Sequence, residues 1–212
     1  TEGDAEMARS LQDFAKYLLD VGNGTFPCLP STDYIRIPDS MILRGDSYKD
    51  LALAIYNNFS TAEDISPASI GGKAILAPTN INVAELNAYL LSLFPGESTL
   101  YRSADTACDE EDALPFPSEF LNSVDNGSLP PHLLELKIGA VIMVLRNIDT
   151  DKGLCNGTRL IVARLHTNLI EAVIINGPTK NTTVYIPRIM LFSDPQQTGV
   201  EFKRRQFPVR LA

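Results

Sequence analysis

A chain of 212 residues with 44% apolar composition is long enough to bury one large core or two small ones. Its formal net charge of −8 speaks weakly against nucleic acid as a partner. No run of about 18 apolar residues is present, so no membrane span is expected, and the acidic start Thr1-Glu2-Gly3-Asp4 is unlike a signal peptide and has no initiator Met, which suggests an excised segment.

The first predicted element is a helix. Met7, Leu11, Phe14, Leu18 and Val21 recur at spacings of four and three, and Gly22 and Gly24 then stop it. Ile35-Arg36-Ile37-Pro38 reads as a short extended piece. A second helix starts at Ser47 with Asp50 as capping-box partner, and its stripe is Leu51, Ile55 and Phe59. Ser60 to Gly72 is polar and small, hence a loop or short helical turn.

Lys73 to Asn80 holds a short apolar run between glycines and a proline, which predicts a buried strand. A helix follows with Val83, Leu86, Leu90 and Leu93 on one face, capped by Asn80 or Asn82. A strand feeding a capped helix is an α/β unit whose natural neighbour is a parallel sheet. Residues 97–131 are acidic at Asp105 to Asp112 and rich in proline, with a short amphipathic turn at Ser118-Glu119-Phe120-Leu121, so they read as a connector. From Leu133 the pattern is all-β. Val141–Leu145, Leu160–Val162, Ala172–Ile175 and Val184–Ile186 are separated by turn residues, which suggests a small barrel.

Charge follows the same division. Residues 1–131 hold 20 acidic and 7 basic residues, a net of −13, whereas residues 132–212 hold 6 and 11, a net of +5. Two modules with different surfaces are implied.

The familiar catalytic arrangements are missing. No G-x-x-x-x-G-K-S/T loop occurs: Gly71-Gly72-Lys73 is followed by Ala74 and precedes a predicted strand, so it offers neither a strand-to-helix cradle nor a hydroxyl for magnesium. Neither G-x-S-x-G nor H-E-x-x-H is present. Cys28, Cys108 and Cys155 have no metal-ligand spacing with His132 and His166, and they read as free thiols in a reducing compartment. Asp109-Glu110-Glu111-Asp112 reads as a solvated run. No residue is assigned a catalytic or metal-binding role.

Four stretches nevertheless carry a resemblance. They are Ile75-Leu76-Ala77-Pro78-Thr79-Asn80 with Val83 and Asn87; Pro117 to Ser123; Leu129-Pro130-Pro131-His132 through Gly139; and Val141 to Asn147 continuing through Gly153 to Arg159. The C-terminal Lys203-Arg204-Arg205-Gln206-Phe207-Pro208-Val209 also fits. Together they resemble the second half of Pif-family DNA helicases (petite integration frequency), including the helicase part of Helitron-type transposable elements. The resemblance spans about residues 5–212, and Leu129 to Arg159 is its most specific run.

That resemblance implies an α/β fold: a partial second RecA-like domain with an inserted small all-β SH3-like barrel. Residues 1–131 would be the lead-in and partial RecA-like domain, 132–196 the barrel, and 197–212 the return strand. The implied parent is an ATP-dependent 5′–3′ helicase using ATP and magnesium. It would act in DNA repair, recombination and telomere maintenance, in the nucleus, with the mitochondrion as the alternative. The fragment alone is expected to be inactive and to hold no cofactor. Its expected partners are single-stranded DNA, duplex junctions and the first RecA-like domain of the same parent chain, with no membrane. The alternative is a non-catalytic nucleic-acid or protein interaction module.

The candidate DNA contacts are Thr79, Asn80, Arg146, Arg159, Lys203, Arg204 and Arg205. Thr79 and Asn80 open a helix after a strand, where helix amides meet phosphates, although Asn80 serves equally as a cap. Lys203, Arg204 and Arg205 suit a strand track, or equally a solvated edge that blocks aggregation. Arg146 and Arg159 flank a loop in which Asn147, Gly153, Asn156 and Gly157 shape turns.

Overall fold

The computed structural model describes residues 2–45, 47–56, 67–70, 72–108, 116–125 and 128–212. It divides into two compact units, residues 1–44 and 45–212.

In the first unit, helix α1 runs Glu2–Gly22. Gly24 takes the left-handed conformation (φ +69°) that lets the chain turn away from it, and Thr25 Oγ1 donates to Asp20 O at 3.2 Å. Met7, Leu11 and Phe14 lie along the expected stripe, and all three are exposed. Ile35, read as part of an extended piece, pairs with Cys28 in a single antiparallel bridge.

The second unit opens with α2 (Tyr48–Tyr56). Ser47 caps it as expected: its Oγ accepts from Asp50 N at 3.2 Å and donates to the Asp50 carboxylate at 2.7 Å. Phe59 lies outside the described residues, as does Asp109-Glu110-Glu111-Asp112. A single helical turn, α3 (Pro67–Ile70), precedes the 73–77 segment, and α4 (Asn80–Leu93) follows it.

Three expectations for residues 73–131 are corrected. Residues 73–77 form no strand and pair with none among the described residues, and Leu76 is 92% exposed. An extended segment needs a neighbour to satisfy its backbone, and every pairing described here is antiparallel and lies elsewhere. The presumed connector contains strands β1 (Thr99–Arg102) and β2 (Ala104–Ala107), followed by the expected short helix α5 (Ser118–Ser123). The helix cap before α4 is Thr79, whose Oγ1 accepts from Asn82 N at 3.2 Å and donates to Asn82 Oδ1 at 2.6 Å, so neither Asn80 nor Asn82 fills that position.

The remaining strands are β3 (Leu133–Leu136), β4 (Val141–Val144), β5 (Arg159–Leu165), β6 (Leu169–Ile174), β7 (Thr183–Pro187), β8 (Ile189–Phe192), β9 (Phe202–Gln206) and β10 (Val209–Leu211). A one-turn helix, α6 (Pro195–Thr198), links β8 to β9. Five strands form one sheet in the order β10-β4-β5-β6-β7. β1 pairs with β3, and β2, β9 and β8 form a third sheet in that order.

Among the described residues no pairing joins β7 to β10, so the expected barrel is an open five-stranded sheet. Packing covers its inner face. Tyr101, Leu134 and Leu136 of the β1–β3 pair join Ile142, Val144, Leu160, Ile170, Ile174 and Ile186 in one apolar cluster with Phe207 and Val209. The alternation in β6 and β7 puts Ile170, Ala172, Ile174, Val184 and Ile186 inside, and each fully buried Ile or Val side chain contributes about 1.5–3 kcal/mol. Residues 197–212 do not return as one strand: β9 joins β2 and β8, whereas β10 joins β4.

Candidate nucleic-acid interface

Two arginines and the start of a helix meet in one groove. Cross-strand pairing aligns Arg210 with Met143 and Met143 with Arg159, one rung across β10, β4 and β5. Lining the same groove are residues 74–77, Asn80 at the first position of α4, and Asn87 two turns further along it. The open groove between them holds about 320 Å³.

Each wall has a local cause. Thr79 fixes where α4 begins, which places Asn80 and the positive end of the helix dipole at the groove. Asn87 Nδ2 donates to Leu211 O at 3.2 Å, tying α4 to β10. Arg159 Nη1 donates to Lys73 O at 3.1 Å and so ties the start of the 73–77 segment to β5. Burial pushes the Tyr56 phenol above its usual value, and neighbouring Arg159 pulls it the other way. The Arg210 guanidinium makes no hydrogen bond or ion pair among the described residues. On its other side it borders a space of about 220 Å³ where Asp125 and Glu135 stand. A helix N-terminus with two guanidiniums favours an anion of phosphate type.

The sequence candidates therefore divide. Asn80 and Arg159, 79 positions apart, share the groove. Thr79 adjoins it as the cap. Arg146 is exposed beyond β4 and does not line the groove. Arg210 is a groove residue that the sequence reading missed. Its outward position on a three-residue strand carried no periodic signal.

The basic run is corrected at its centre. Arg204 is wholly buried, so it cannot meet a DNA strand from this position. Its Nη2 and Nε contact Asp105 at 2.7 and 3.1 Å, Nη1 donates to Val124 O and Pro130 O at 3.1 Å, and Nη2 donates to Leu121 O at 2.8 Å. Two positions on, Gln206 Nε2 donates to Tyr101 O, Pro131 O and His132 O. Proline has no N–H to offer, so the Leu129-Pro130-Pro131-His132 segment is held through its carbonyls. Lys203 and Arg205 point to the opposite face.

The loop from Asn147 to Arg159 is shaped as its turn residues suggest. Gly153 and Gly157 have φ of +78° and +87°, and Asn147 Oδ1 accepts from Asn156 N at 2.8 Å. Lys73, by contrast, is followed by no helix until Asn80, so it does not stand at the strand-to-helix turn of a triphosphate cradle.

Residues 119–165, which run from α5 through β5, match the family model described as DNA helicase Pif1, 2B domain. Over this part the chain is similar to Pif1 helicases. It is 27% identical over 127 residues to the ATP-dependent DNA helicase PIF1 of Xenopus laevis, a match that covers 59% of this chain and 18% of that protein. Among solved structures, unliganded Pif1 from Bacteroides sp. is 26% identical with a TM-score of 0.45, over 63% of this chain and 38% of that one. Pif1 helicase from Candida albicans is 25% identical with a TM-score of 0.48, over 65% and 33%. This chain thus spans well under half the length of each of these Pif1 proteins.

Proposed function

We propose that this chain is part of an ATP-dependent 5′–3′ DNA helicase and contributes a surface for single-stranded DNA, with residues 132–196 serving as an SH3-like insertion. The observation that carries the reading is the groove in which Asn80 faces Arg159 and Arg210. The match of residues 119–165 to the Pif1 2B domain supports it independently. Phosphates of an unpaired strand would lie against the two guanidiniums and the start of α4. ATP and magnesium are used by the parent enzyme, and this chain alone does not turn over ATP.

Anisotropy of a labelled oligo-dT titrated with the chain tests the groove. Each lost phosphate contact lowers the log–log salt slope by about 0.7, so Arg159→Ala with Arg210→Ala should lower it by about 1.4 and weaken binding. Unchanged affinity and slope would remove the groove from the DNA path. ATP turnover by the purified chain, abolished by a point change within it, would overturn the second part.

A further inference from the structure

The outer face of the three-stranded sheet carries a second, differently built surface. Pairing sets two rungs there: Ala104, Arg205 and Met190 in one, and Thr106, Lys203 and Phe192 in the other. The neighbouring rung, Asp105, Arg204 and Leu191, points inward. Each outer rung passes from a small residue through a cation to a large apolar side chain. The six positions include no carboxylate, in a chain with 26 acidic residues against 18 basic ones.

Met190 is 49% and Phe192 56% exposed, and β8 is an edge strand among the described residues. Lys203 Nζ stands 5.9 Å from the centroid of the Phe192 ring. Neither Lys203 nor Arg205 is in an ion pair among the described residues. Two positions apart on one strand, they are separated by about 7 Å, close to the rise of two stacked nucleotides at about 3.4 Å each.

We propose that this face is a stacking platform for single-stranded DNA, with phosphates two nucleotides apart on Lys203 and Arg205 and an unpaired base on Phe192. Duplex DNA would satisfy the cations but hides its base faces, and an acidic peptide would leave the ring unused. Only an unpaired strand matches both the charge and the exposed aromatic. The proposal rests on the reading of this chain as one that handles single-stranded DNA. It concerns a surface separate from the Arg159–Arg210 groove.

The chain contains no tryptophan, so Phe192→Trp makes a single fluorescent reporter at an exposed position. Oligo-dT is expected to quench it in a salt-dependent manner. Lys203→Ala with Arg205→Ala in that background should abolish the quenching, and Arg159→Ala with Arg210→Ala should leave quenching at saturation in place. Phe192→Leu keeps apolar area but removes the ring, and should weaken oligo-dT binding on the order of tenfold. Binding by anisotropy without quenching would overturn the platform and leave the groove standing. Absence of any binding would overturn both. Equal quenching by a blunt duplex or by a poly-glutamate peptide would overturn the assignment to an unpaired strand.

Discussion

Arg204 and Asp105 are direct cross-strand partners in β9 and β2, with 2.7 Å between Nη2 and Oδ2 and both side chains completely buried. The remaining guanidinium donors go to carbonyls of α5 and of the loops that follow it. One residue thus ties β9, β2, α5 and the Leu129–His132 segment together.

Breaking such a buried pair strands a charge. Arg204→Ala or Asp105→Ala should cost about 3–5 kcal/mol in urea unfolding. Lys203→Ala and Arg205→Ala, on the outer face, should stay within about 0.5 kcal/mol. Equal effects at 203, 204 and 205 would contradict the inward placement of Arg204.

Gly153 and Gly157 both hold positive φ, but only Gly153 is crowded: a Cβ there would collide with Thr179 Oγ1, whereas Gly157 faces open space. Gly157→Ala should cost about 1–2 kcal/mol from backbone strain alone. Gly153→Ala should cost measurably more, because it adds the collision. A thermal melt of the two variants side by side checks the order.

Thr79 is the sole side-chain cap seen at the start of α4. Thr79→Ala should lower stability by about 1 kcal/mol, and Thr79→Ser should restore most of it. Asn80→Ala should have a smaller effect on stability, since Asn80 is exposed and is not the cap.

His132 Nδ1 lies 2.8 Å from Ser103 Oγ, which itself donates to Asp105 Oδ1 at 2.7 Å, so the imidazole nitrogen is the donor in this chain. Burial pushes the His132 imidazole below its ordinary 6.5, Asp105 pulls it upward, and Arg204 and Arg102 push it down further. The unfolded chain therefore binds a proton that the folded chain resists. This contribution to stability is present above about pH 6.5 and is lost as pH falls from there toward the depressed folded value. Urea midpoints at pH 5.5 and 7.5 should differ less for His132→Gln than for the wild type. An unchanged difference would exclude His132 as a source of the pH dependence.

Local patterns were legible wherever the deciding interaction is local. The spacing of Met7, Leu11 and Phe14 announces α1, Ser47 with Asp50 announces the start of α2, and the β-branched runs announce β4 to β7. The strand expected at residues 73–77 failed because strand formation requires a partner that no local pattern supplies. β1 and β2 were missed for the converse reason: Thr99–Ala107 reads as polar linker until Leu133–Leu136 and β9 pair with it.

The sequence by itself determined which residue types are present: the turn glycines, the cations of β9, the absent phosphate loop and the run from Leu129 to Arg159 that carries the helicase resemblance. Tertiary structure decided what those residues face. Period-two alternation in β9 is symmetric until a sheet buries one side. Pairing with β2 and β8 turned Arg204 inward onto Asp105 and left Lys203 and Arg205 outside. Likewise, only the β10-β4-β5 ladder could bring Arg210 and Arg159 to opposite sides of Met143 and set them before Asn80. Those contacts join residues tens of positions apart, and their register is fixed by packing of the whole core.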